Sequence, residues 1–183
     1  MRRTIALARQ SMDEGNGPAG CLIVKDGQIL GEGRNLVVTR HDPTAHAEIV
    51  AIRDVAARLG ERALAGSTLF ASMEPCPMCC WAILSTNVST LVLGARRSQF
   101  MTRDAGSYSV EALTAMTGCR LEIVTGVLQR ECAALRYAAL ERMVGEERTT
   151  DRDPKPVHGS GVLQLARKAF SAICACIRPG RKS

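Results

Sequence analysis

Two short segments, His46-Ala47-Glu48 and Pro75-Cys76-Pro77-Met78-Cys79, constrain this chain more than any other part of it. One imidazole and two thiolates make three protein ligands for a zinc ion, so any fold the chain adopts must bring both segments to one point. Three ligands leave a tetrahedral metal one position for water, whereas a structural zinc normally takes four. The carboxylate of Glu48, two residues past the His, is placed to move protons to and from that water. His46, Cys76 and Cys79 are therefore the candidate metal ligands, Zn2+ the candidate cofactor and Glu48 the candidate catalytic residue.

The surrounding sequence predicts that both halves of this constellation fall at helix starts. His46 and Glu48 open a helix that begins at Asp42-Pro43-Thr44 and runs to about Leu59, where Gly60 stops it. Pro75 precedes a short helix from about Cys76 to Ser85. Helix N-termini carry partial positive charge, which favours thiolate over thiol. Within Cys-x-x-Cys the two sulfurs lie on one turn and can reach one metal. Two other readings remain open. The metal is structural, with Cys80 or Cys119 as a fourth ligand, or Cys76 and Cys79 form a redox pair without metal.

Elsewhere the chain alternates strand and helix. Thr4–Asp13 has helical spacing, with Ile5, Ala8 and Met12 on one face, until Gly15-Asn16-Gly17-Pro18 breaks it. Cys21–Lys25 and Ile29–Asn35 read as strands joined through Asp26-Gly27. Thr68–Ser72, Thr90–Gly94 and Leu121–Thr125 read as three more strands, with a helix near Ser109–Met116 and another from Leu128 to about Arg148. The pattern predicts an α/β/α sandwich around a five-stranded sheet. Residues 1–148 form the expected domain, 149–161 a linker, and 162–183 a basic amphipathic tail with Val162, Ala166, Phe170 and Ile173 on one helical face. That tail is expected to pack on the domain, close over the active site, stay disordered, or lie on an anionic membrane surface.

Charge divides the same way. Residues 1–148 carry 17 Lys and Arg against 16 Asp and Glu, while residues 149–183 carry 7 against 2. A near-neutral domain argues against a grip on a large nucleic acid. The longest apolar runs, such as Cys21-Leu22-Ile23-Val24, are too short to span a membrane, and the N-terminus lacks a secretory pattern. Eight cysteines scattered among apolar neighbours read as reduced thiols of a cytoplasmic protein. Cys21, Cys80, Cys119 and Cys132 are expected in the core. His41 is expected in a loop, Trp81 packed behind the second metal-bearing helix or else lining the pocket, and Arg96 and Arg97 in solvent or else against a phosphate. Phe100 is a candidate for stacking on a ring in the pocket.

The segments Asp42-Pro43-Thr44-Ala45-His46-Ala47-Glu48 and Glu74-Pro75-Cys76-Pro77-Met78-Cys79 resemble the cytidine/deoxycytidylate deaminase superfamily. The likeness extends from about Thr4 to Leu140 and lies in the branch of guanine deaminases, yeast-type cytosine deaminase and bacterial tRNA adenosine deaminases. It implies a cytidine deaminase-like fold with a mixed central sheet, a catalytic zinc and a homodimer. It also implies that Asn35, at the end of the second strand, contacts the base or sugar; Ala47 is taken as a further substrate contact. Asn35-Leu36-Val37-Val38-Thr39 and Pro77 look like guanine deaminases, whereas Gly126-Val127-Leu128 and Glu131-Cys132-Ala133-Ala134-Leu135 look like the tRNA enzymes. From Ala95 to Asp104 the chain departs from the tRNA enzymes.

The expected activity is hydrolytic, zinc-dependent release of ammonia from a nucleobase or nucleoside, a purine such as guanine or adenosine. Only six aromatic residues and the altered loop favour a small substrate over structured RNA. Adenosine-to-inosine deamination in tRNA is the alternative, and a zinc-stabilised scaffold without activity is a third reading.

Overall fold

Asp26 and Gly27, both at positive φ (49° and 75°), turn the chain between β1 (Gly20–Lys25) and β2 (Gln28–Arg34), and the two strands pair antiparallel. This is a computed structural model, which describes residues 1–100 and 107–150, those after 142 by backbone alone. The linker beyond Thr150, the tail at 162–183 and residues 101–106 of the divergent loop lie outside the described residues.

Five strands make one sheet in the order β2-β1-β3-β4-β5, with β3 at Thr68–Met73, β4 at Thr90–Ala95 and β5 at Glu122–Val124. β1 is antiparallel to both its neighbours, while β3, β4 and β5 run parallel. The side chains of Cys21, Ile23, Leu69, Ala71, Leu91 and Leu93 alternate onto one face and are fully or almost fully buried there. Against them pack α3 (Ala47–Leu59), α4 (Pro77–Ser85) and the first residue of α5 (Val110–Thr117). The opposite face receives α1 (Arg2–Asp13) and α6 (Gln129–Thr150), whose Ile5, Ala8, Cys132 and Leu135 form a second buried cluster with Ala95. The result is the expected three-layer sandwich with a mixed five-stranded sheet.

Local departures have local causes. The helix expected from Asp42 begins only at Ala47, because Asp42 Oδ1 accepts the Thr44 N–H at 2.8 Å and the Thr44 hydroxyl at 2.7 Å, closing a side-chain turn that competes with helix. A short α2 (Val37–Arg40) precedes it and ends at exposed His41, which is left-handed at φ 51°. Ser109 caps α5 by accepting the Ala112 N–H at 3.1 Å. Cys21, Cys80 and Cys132 are buried as expected, but Cys119 is exposed, since it follows the Gly118 turn that ends α5. Trp81 is 55% exposed and is not packed behind the helix: Cys80, Ile83 and Leu84 occupy the face of α4 that meets the sheet. Among the described residues no helix is long and apolar enough to cross a membrane.

Candidate active site

Strand ends assemble the site. β2, β3 and β4 point the same way, so their C-terminal ends share one edge of the sheet, the edge where open α/β sheets bind ligands. Asn35 follows β2, Glu74-Pro75-Cys76 follows β3, and Arg96-Arg97 follows β4. α3 and α4 both start at that edge. His46 precedes α3 with an extended backbone (φ −68°, ψ 156°), and Cys76 precedes α4 in nearly the same conformation (φ −72°, ψ 168°). Pro77 fits the first turn of α4, where its missing N–H leaves nothing unpaired.

His46 Nδ1 lies 3.5 Å from the Sγ of Cys76 and 3.5 Å from that of Cys79, and the three donor atoms are within 4.8 Å of one another. Tetrahedral zinc with bonds of about 2.05 Å to nitrogen and about 2.3 Å to sulfur would separate N from S by about 3.6 Å. The donor set therefore fits zinc in type and spacing. Cys80 does not join this group: it is turned into the core, where Tyr108 packs against the same cluster.

Electrostatics point the same way. Hydrogen bonding from Cys79, assisted by His46, lowers the Cys76 thiol to about 4. The Cys76 thiolate in turn drives Cys79 far above the ordinary thiol range and raises His46 through a hydrogen bond. Two adjacent sulfurs cannot both be anionic without a cation between them, so the metal-free site holds protons that zinc must displace. Titrating zinc into the metal-free protein near neutral pH should release at least one proton per ion, from Cys79, with affinity falling as pH falls. Weakly buffered calorimetry or a pH indicator reads this, and zinc uptake without proton release would contradict it.

Beside the ligands lies a cavity of about 330 Å³ lined by Gly17, Pro18, Ala19, Asn35, His46, Glu48, Met73, Glu74, Cys76, Pro77, Arg97 and Arg136. Its size is at the low end for small-molecule sites. Glu48 is only 6% exposed, and burial raises its pKa above the ordinary carboxylate range. Asn35 accepts the Val37 N–H at 3.0 Å through Oδ1, which leaves its amide NH2 on the Gly17 side of the cavity.

Other expected contacts sit elsewhere. Ala47 is fully buried against the sheet, and Phe100 packs at a tilt of 59° against Tyr137, 5.1 Å between ring centres, neither lining the cavity. Arg96 is not simply solvated: it pairs with Glu111 and, at 3.5 Å, with Glu74. Arg97 lines the cavity rather than facing bulk solvent. Glu74, 5% exposed, accepts the Arg97 N–H at 3.0 Å and the Val110 N–H at 3.2 Å, tying the β4 end and α5 to the metal-bearing loop. Tyr108 adds a bond from its hydroxyl to the Pro75 carbonyl at 2.9 Å. Neither Glu74 nor Arg136 stood out from sequence as a cavity residue, although Glu74 lies within the Glu-Pro-Cys string.

The same zinc-binding half is matched by a family model, the cytidine and deoxycytidylate deaminase zinc-binding region, over residues 1–95. The chain belongs to the cytidine and deoxycytidylate deaminase family. This deaminase is 40% identical over 134 residues to the tRNA-specific adenosine deaminase of Haemophilus influenzae, covering 73% of this chain and 76% of that one. It is 49% identical over 84 residues to the guanine deaminase of Bacillus subtilis, covering 45% of this chain and 54% of the relative. Among solved structures, a tRNA:A34 deaminase superposes with a TM-score of 0.65 at 28% identity, covering 74% of this chain and 96% of that one. The deaminase is thus a zinc-dependent hydrolase acting on C–N bonds.

Proposed function

We propose that this deaminase converts adenosine to inosine within tRNA, with His46, Cys76 and Cys79 holding the zinc and Glu48 moving the protons. The observation that carries the chemistry is one cavity in which Glu48 and Asn35 flank a three-donor metal set whose spacing suits zinc. For the substrate, the support is the reach of the similarity. It covers 73% of the chain for the H. influenzae tRNA enzyme and 45% for the B. subtilis guanine deaminase. The near-neutral domain favoured a small substrate, but net charge is a sum over the whole surface and says little about one cavity.

Zinc held by His46, Cys76 and Cys79 would activate a water molecule by lowering its pKa to around 7. Glu48 would take a proton from the attacking water as its oxygen adds to the ring carbon bearing the amine. It delivers the proton to the adjacent ring nitrogen, then helps the amine leave as ammonia while a carbonyl forms. One carboxylate serves as base and then acid because the steps alternate. Burial raises its pKa, the direction that favours taking up a proton. The amide NH2 of Asn35, its oxygen held by Val37, donates to the base or sugar and sets the ring against Glu48. The homodimer expected from the resemblance belongs to the same proposal, and light scattering at micromolar concentration reads it.

A second reading, a free purine such as guanine, is favoured by the 49% identity to guanine deaminase across the matched 84 residues. Ammonia release from bases, nucleosides and nucleotides, with inosine measured in a tRNA pool, separates the two. Inosine in tRNA with silent small purines supports the first reading. Rapid turnover of a free base with unmodified tRNA overturns it.

A further inference from the structure

We propose that Arg136, together with Arg97, binds a phosphate of the substrate immediately beside the ring being deaminated. The two residues come from different layers of the fold. Arg97 follows β4 and is anchored by its own N–H on Glu74 at 3.0 Å. Arg136 lies on α6, on the opposite side of the sheet from α3 and α4. Both nevertheless line the cavity that holds Glu48, His46 and Asn35.

The Nε of Arg136 is buried and has no hydrogen-bond partner among the described residues. A buried guanidinium N–H left unpaired is costly, and the side chain that carries it lines the cavity, so Arg136 is suited to take an acceptor from a ligand there. The acidic groups facing it are Glu48 and Glu74. Glu74 is committed to the backbone N–H groups of Arg97 and Val110 and to the Arg96 ion pair, and Glu48 sits beside the metal ligands. A free purine base offers no anion to a pair of guanidinium groups. A nucleotide phosphate does, because its oxygens accept the parallel N–H bonds of the guanidinium fork. The phosphate belongs either to a free monophosphate or to a phosphodiester in RNA, and the chemistry that reads it is the same. This inference rests on the deaminase reading for the position of the ring.

The test uses the zinc-loaded full chain. In the first arm, KM and kcat of Arg136→Gln and Arg136→Lys are compared with the parent on adenosine, adenosine 5′-monophosphate and an anticodon-loop RNA. Arg136→Gln should raise KM for a phosphate-bearing substrate about 10- to 100-fold more than for adenosine, with the larger effect in KM than in kcat. Arg136→Lys should recover part of the loss, and the salt slope for RNA should fall by about one. An equal change in KM with and without the phosphate overturns the proposal. In the second arm, calorimetry on Glu48→Gln compares binding of adenosine with that of its monophosphate and of the RNA. This arm does not depend on Arg136 variants folding or on any turnover. Tighter binding of the monophosphate assigns a free nucleotide, and a gain confined to RNA assigns a phosphodiester. No gain from either phosphate overturns the inference even where the deaminase reading stands. Phosphate-dependent binding by a chain that turns over none of the three compounds would instead sink the function and keep the phosphate site.

Discussion

Glu48→Gln is expected to lower turnover by roughly 10⁴-fold while the protein keeps its zinc and its fold. A single positioned acid–base group typically contributes about 10²–10⁴-fold. Glu48 serves in both halves of the proposed reaction, which puts it at the upper end. Gln preserves the volume and hydrogen-bonding reach of a side chain that is only 6% exposed, so packing is unchanged. None of the three metal donors is altered, and zinc content by mass spectrometry should stay at one ion per chain. A variant that retains activity would remove Glu48 from the mechanism, and one that loses zinc would make it a structural residue.

The same substitution carries a pH signature in the metal-free protein. Burial raises the Glu48 pKa, so the native state binds more protons than the unfolded chain between the ordinary and the raised value. Native stability therefore falls as pH rises through that window. Gln cannot ionise, so metal-free Glu48→Gln should melt higher than the parent above the ordinary carboxylate range and equal it below. Melting curves across pH read the difference.

Gly33→Ala is expected to be the most damaging small substitution in the sheet. Gly33 pairs with Cys21 and faces the first turns of α3. A methyl group there would sit 2.0 Å from the Ala47 carbonyl oxygen and 2.7 Å from the Ala51 nitrogen. Both atoms are helix backbone and cannot swing aside. Overpacking typically costs about 1–3 kcal/mol, and a clash with backbone belongs at or above the top of that range. Because the displaced turn carries His46 and Glu48, zinc affinity and turnover should fall along with the melting temperature. Gly17→Ala is the folding control, since its methyl would touch only Asn35 side-chain atoms at 3.5 Å and 3.8 Å. Equal melting temperatures for the two variants would mean that α3 can ride higher on the sheet than its contacts indicate.

What was legible in the sequence is what is chemically local. The Asp26-Gly27 turn, the proline opening α4 and the Ser109 cap depend on residues a few positions apart. So do the ligand types in His46-Ala47-Glu48 and Cys76-x-x-Cys79, because one helical turn is enough to set their spacing. Even the sandwich follows from periodicity, since alternating apolar faces leave few ways to bury them. The tertiary structure alone decided which distant side chains meet. The Asp42 turn delayed α3, so that His46 lies just before the helix rather than inside it. Trp81 points away from the sheet because Cys80, Ile83 and Leu84 take the inner face of α4. Phe100 found Tyr137 instead of the cavity, and Arg136 reached the cavity from α6. No local pattern encodes those choices. They are set by how two helical layers dock on opposite faces of one sheet, and that docking is a property of the whole chain.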